Sequence, residues 1–161
     1  MKKENYRWLG LNCLSAFAVY WLVNLILWFP WSLSPALGIT LMLTVSPIIW
    51  AIAVYQGLQR YSGTNLYKGA TIVSFIYILI AIIADFIFFG LIRHAFKDLY
   101  QPSTFYGYMF LVCLPFIVAW AFSNKLKRRL VIQKRDYIRS AVLCLFSLLA
   151  LYIIIRFKIT I

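Results

Sequence analysis

The sequence predicts an all-α membrane protein: a bundle of five transmembrane helices with the N-terminus on the cytoplasmic side and the C-terminus outside. Three observations lead there. Of 161 residues, 64% are hydrophobic and 12% charged, against about 25% charged in an average soluble domain, too little to cover a wet surface. Five apolar stretches approach or reach the roughly 20 residues that a helix needs to cross the hydrocarbon layer. The cations are also sorted, with twelve of the sixteen Lys and Arg in the segments expected inside and only Arg93, Lys97, Arg156 and Lys158 outside, as the preference of basic residues for the cytoplasmic side requires. No alternating ten-residue pattern suggests a barrel, and open strands would leave backbone groups unpaired in lipid.

The first span, about residues 9–29, follows a Lys2-Lys3 start that resembles a secretory signal. Its apolar length exceeds the roughly 7–15 residues of a cleaved h-region, so it reads as a retained helix. The second span, 35–55, descends and carries Pro47, which frees the carbonyl of Leu43 four residues back and kinks the helix. The third, 71–92, holds Asp85. After it comes a mixed segment of charges and aromatics, Arg93 to Tyr100, that Gln101-Pro102 terminates. The fourth, 105–122, carries Pro115, freeing the carbonyl of Leu111, and the fifth covers 138–155. The longest connection, about 123–137, is too short to bury a core of its own, so residues 1–161 form one transmembrane domain. Trp8, Trp50, Tyr55, Trp120 and Tyr137 at one interface, and Trp28, Trp31, Tyr106 and Tyr108 at the other, are the expected aromatic girdles.

Two features carry functional expectations. Lys125, Lys127, Arg128, Arg129, Lys134, Arg135 and Arg139 form a dense cationic cluster, whose partner is expected to be the anionic headgroups of the cytoplasmic leaflet at about 1 kcal/mol per basic residue. Asp85 is the acid within a span, where a carboxylate costs about 2.5–3.5 kcal/mol and by default marks a functional or tightly paired site. Counting about 1.5 Å per residue, Asn24, Thr40, Thr44 and Tyr152 reach a similar depth. They define with Asp85 a candidate polar layer in the outer third. Within it a neutral, hydrogen-bonded Asp85 joins helices together, whereas an ion, proton or polar-solute site is the competing reading, and a pairing with Arg93 a third.

Other chemistry finds no support. Cys13, Cys113 and Cys144 sit singly on different spans and read as packing residues. One His, four acids and dispersed cysteines make no metal-ligand set. Nucleophile elbow, carboxylate dyad and phosphate loop are all missing, so no enzyme activity and no cofactor are expected. Although the excess charge is +12, it lies beside membrane spans with no nucleic-acid-binding signature, so nucleic acid is not an expected partner. The expectation is a non-enzymatic, multi-pass protein of the cytoplasmic membrane, acting through helix packing and lipid or protein contacts, with a second copy or another membrane protein as partner. The alternative is a small proton- or cation-coupled transporter or channel-like unit built on Asp85.

Overall fold

The computed structural model describes residues 2–92, 94 and 96–156. It is all-helical, with 88% helix. Helix α1 spans Lys2–Leu33 and α2 Pro35–Gln59. Helix α3, Leu66–Asp85, runs on into a π-helical stretch, Phe86–Ile92, followed by a short 3-10 turn at Phe96–Tyr100. Helix α4 covers Pro102–Ala121, α5 is the single turn Ser123–Leu126, and α6 covers Lys134–Arg156. Five of these, α1, α2, α3 with its extension, α4 and α6, are long and apolar enough to cross a membrane, which suggests a multi-pass membrane protein.

The helices outrun the apolar stretches that announce them, chiefly at the basic end: α1 starts at Lys2, α2 continues to Gln59, and α3 begins at Leu66. Hydropathy marks where lipid-compatible side chains stop, whereas a helix ends where its backbone hydrogen bonds find another partner. Caps set those ends. The Asn65 side chain accepts from the backbone N–H groups of Tyr67 and Lys68 at 3.0 and 3.2 Å, and prolines that need no N–H partner open α2 and α4. One extended residue, Ser34, reverses the chain between α1 and α2.

Helix α1 is the hub. It packs against α2, α3 and α6, while α4 lies against α3 and α2. Ala16, Ala18, Ala53, Ala70, Ala81 and Ala84 are buried at these contacts, where small side chains let helix backbones approach closely. Tyr77, Phe88, Val54 and Leu58 fill the remaining space. Polarity is inverted relative to a soluble domain: Asn12, Ser74, Asp85, Asp136 and Ser147 are buried, whereas Phe75, Leu145 and Trp120 are 66%, 67% and 73% exposed. Apolar surface on that scale is unfavourable in water.

Two residues expected in the girdle lie in the core. Trp8 is buried and donates its indole N–H to the Gly57 carbonyl at 2.8 Å, and Trp50 is buried with its ring 5.5 Å from that of Tyr77. The side chains of Trp28 and Trp31 lie outside the described residues.

The α1–α2 contact depends on one glycine. The carboxamide of Asn12, which donates to the Trp8 carbonyl at 2.9 Å, occupies the space that a Cβ on Gly57 would need. Gly57→Ala therefore overpacks the contact, at about 1–3 kcal/mol. Thermal unfolding in detergent should show a midpoint lowered by about 2–4 °C for each kcal/mol. Gly10→Ala, whose added methyl meets nothing within 4 Å, should leave that midpoint unchanged or slightly raised.

Candidate functional site

Asp85 is the last residue of α3, at the point where the helix widens into the π-helical stretch. It is buried, and both of its oxygens are engaged. The Tyr20 hydroxyl of α1 donates to Oδ1, and the Tyr108 hydroxyl of α4 donates to Oδ2 at 2.7 Å. Among the described residues no cation lies within ion-pairing distance of Asp85, since the ion pair there is Arg60–Asp136. Arg93, the cation considered as its partner, is outside the described residues. Two neutral donors from two helices thus meet one carboxyl from a third, a way of satisfying buried acceptors without a counter-ion. An aromatic row continues from the cluster: the Trp21 ring is 5.1 Å from Tyr20 and 5.9 Å from Phe88, which is in turn 5.0 Å from Phe89.

The rest of the expected polar layer divides. Asn24 stands one turn beyond Tyr20 and donates to its carbonyl at 2.9 Å, so it adjoins the cluster through the backbone. Thr40 and Thr44 are exposed on α2 and return their hydroxyls to Ala36 and Thr40 carbonyls of their own helix, at 2.8 and 2.6 Å. Tyr152 is exposed on α6. None of these three joins Asp85. Both prolines lie within their helices, Pro47 in α2 and Pro115 in α4. Beside Pro115, the Ser74 hydroxyl of α3 donates to the Val112 carbonyl at 3.0 Å, one residue along from the Leu111 carbonyl expected to be free.

Tyr20 and Tyr108 are the partners that sequence reasoning missed. In the sequence Tyr108 reads as an interfacial aromatic, and Tyr20 as one residue of an apolar run. The available signal was length: a tyrosine ring carries its hydroxyl well away from its own backbone level, so depth has to be measured at the hydroxyl rather than at Cα.

The second candidate region is the end of the bundle where α1, α3 and α6 begin. Arg60, closing α2, forms a bidentate pair with Asp136 at the start of α6, with Nε–Oδ2 3.1 Å and Nη2–Oδ1 2.9 Å. Its remaining nitrogen donates to the Gln56 carbonyl at 2.9 Å, and the Gln133 N–H donates to Asp136 at the same distance. The chain between α5 and α6 is laid over the end of α2: the Leu130 N–H bonds the Gln59 carbonyl, and Arg129 the Tyr61 carbonyl, both at 3.0 Å. The Tyr137 hydroxyl donates to the Arg7 carbonyl, tying α6 to α1. Lys125, Lys127, Arg128, Arg129, Lys134, Arg135 and Arg139 are all exposed on this fixed frame.

Among the described residues no three His, Cys, Asp or Glu side chains are grouped so as to hold a metal ion. Comparison with known proteins finds no matching family model, no matching curated protein and no matching solved structure.

Tyr20→Phe deletes a donor to a buried carboxyl and should cost about 1–2 kcal/mol, the upper part of the range for hydrogen bonds inside membrane bundles. Detergent unfolding should show a smaller loss for half-buried Tyr108→Phe. Tyr106→Phe, 74% exposed two residues away, should cause none.

Proposed function

We propose that the protein is a non-enzymatic, multi-pass module of the cytoplasmic membrane, N-terminus inside, that acts by holding its basic end against anionic headgroups and its apolar helix faces against other membrane components. The observation that carries this reading is the basic end itself. Seven exposed cations stand on a connection fixed by the Arg60–Asp136 pair and by backbone bonds to Gln59 and Tyr61. Among the described residues no carboxylate pairs with any of the seven. A pre-set array of this kind gains about 1 kcal/mol per cation beside an anionic leaflet. It also gives up little loop freedom on contact, because backbone bonds already tie the connection to the end of α2.

Asp85 fits this reading as a tie between helices, since each of its oxygens already accepts a hydroxyl. Its burial within a span is also what favours the alternative, a proton- or cation-coupled transporter. The two readings separate in proteoliposomes. Wild type should show no pH-coupled flux above protein-free vesicles, and Asp85→Asn should change only stability. A wild-type flux abolished by Asp85→Asn would establish the transporter instead.

The orientation is checked by a membrane-impermeant maleimide in whole cells, on a background lacking Cys13, Cys113 and Cys144. Ser103→Cys should be labelled and Lys127→Cys protected; the reverse pattern contradicts the orientation. In nanodiscs, wild type should unfold at a higher temperature with anionic lipid present than in purely zwitterionic lipid. Salt should narrow the difference.

A further inference from the structure

Helices α2 and α6 both pack on α1, and between them lies a crevice of about 660 Å³. Leu11 and Asn12 of α1 line it, with Ile48 and Ile52 of α2 along one wall and Lys125 and Arg139 among its polar residues. The Arg60–Asp136 pair also lines it, bridging α2 to α6. Ile48 and Ile52 are more than half exposed, so the apolar part opens sideways. From Ile48 to Arg60 is a rise of about 18 Å along α2.

The crevice therefore has two chemically different ends. At the polar end Arg60 and Asp136 neutralise each other, and among the described residues neither Lys125 nor Arg139 lies within salt-bridge distance of a carboxylate. The Lys125 ammonium lies only 5.8 Å from the centre of the Phe122 ring. Asn12, almost wholly buried, turns its carboxamide against Gly57 at this end. Toward the middle of the bundle the α2 wall is aliphatic, with Ile48, Ala51 and Ile52, and faces Ser15 of α1 and Ser140 of α6. A soluble anion would use the cations and leave the apolar slot empty; an alkane-like solute would do the opposite. An amphiphile with an anionic head matches both ends, and the volume falls within the roughly 300–1,000 Å³ of small-molecule sites. That is room for a headgroup, a glycerol and the upper part of one acyl chain.

We infer that this crevice binds one anionic phospholipid, its phosphate at Lys125 and Arg139 and one acyl chain along Ile48 and Ile52. The inference rests on reading the basic end as a contact for anionic lipid, and narrows that diffuse surface to a site of defined stoichiometry. The lateral opening lets the lipid enter from the bilayer without leaving it. The Arg60–Asp136 pair holds the two walls at their spacing.

Native mass spectrometry of the full chain in neutral detergent tests this, with dioleoyl phosphatidylglycerol, dioleoyl phosphatidylcholine and free glycerol phosphate as probes. The expected result is a single preferred phosphatidylglycerol adduct, with phosphatidylcholine weaker and glycerol phosphate not retained. The double variant Lys125→Gln/Arg139→Gln should weaken that first adduct about thirtyfold. Removing the same charge outside the crevice, in Lys127→Gln/Arg128→Gln, should leave it within about twofold. Ala51→Trp, which fills the slot without touching a charge, should also abolish the preferred adduct. Equal weakening by both charge pairs, or a graded ladder of adducts with no preferred first one, overturns the site while leaving the surface reading intact. Equal binding of both phospholipids, unaffected by either pair, removes both. Retention of glycerol phosphate alone makes the crevice an anion site and overturns the lipid.

Discussion

A carboxyl group buried among apolar helices has to find its hydrogen-bond donors inside the bundle, and Asp85 finds them on two different helices. That constraint fixes more than one contact. Aliphatic packing between membrane helices is weakly directional, because lipid chains are as apolar as the neighbouring side chains, so polar ties settle rotation and depth. With Tyr20 on α1 and Tyr108 on α4 both donating to α3, neither α1 nor α4 can rotate or slide by a turn without leaving a buried acceptor unpaired. Ser74 adds a second tie from α3 to α4 through the Val112 carbonyl.

The remaining helices follow the same logic. Trp8 joins α1 to α2 at the Gly57 carbonyl, Arg60 joins α2 to Asp136 of α6, and Tyr137 joins α6 back to α1. Each helix is thus placed by at least one polar contact, while its alanines and aliphatic residues set how close it comes. The ties differ in character along the bundle. The Asp85 cluster is built from neutral hydroxyl donors accompanied by aromatic rings; the basic end uses a salt bridge and backbone bonds that leave its other cations exposed. In the function proposed above, rigidity beneath those cations lets them act as an array, and the gap between α2 and α6 beside them gives part of that array a shape.

Much of this was legible in the residues, and the illegible part has a physical cause. Length and hydropathy locate five spans because crossing an apolar layer demands a minimum run whatever the side chains are. They misplace the ends at Lys2, Gln59 and Leu66, because polar residues continue a helix as readily as apolar ones. Asp85 stands out on cost alone. Its partners do not, since tyrosines inside a span are ordinary and their usefulness depends on which face they present to another helix. Thr40 and Thr44 show the converse error: similar depth suggested a shared layer, but a threonine hydroxyl reaches its own helix's carbonyl one turn back more easily than a neighbour. The Arg60–Asp136 pair is hidden for a different reason: its members are 76 residues apart, which leaves no local signal.

Asp85 clamps α1, α3 and α4, and the most direct test measures whether the tyrosines matter only because the acid is there. Tyr20→Phe and Tyr108→Phe are each compared in the wild-type background and in an Asp85→Leu background, by thermal unfolding of the purified protein in one detergent. The clamp predicts that each substitution destabilises the wild type and has little or no effect once the acid is gone, giving a coupling of about 1 kcal/mol or more. Equal effects of the tyrosine substitutions in both backgrounds would mean that the hydroxyls act elsewhere, and would contradict the clamp.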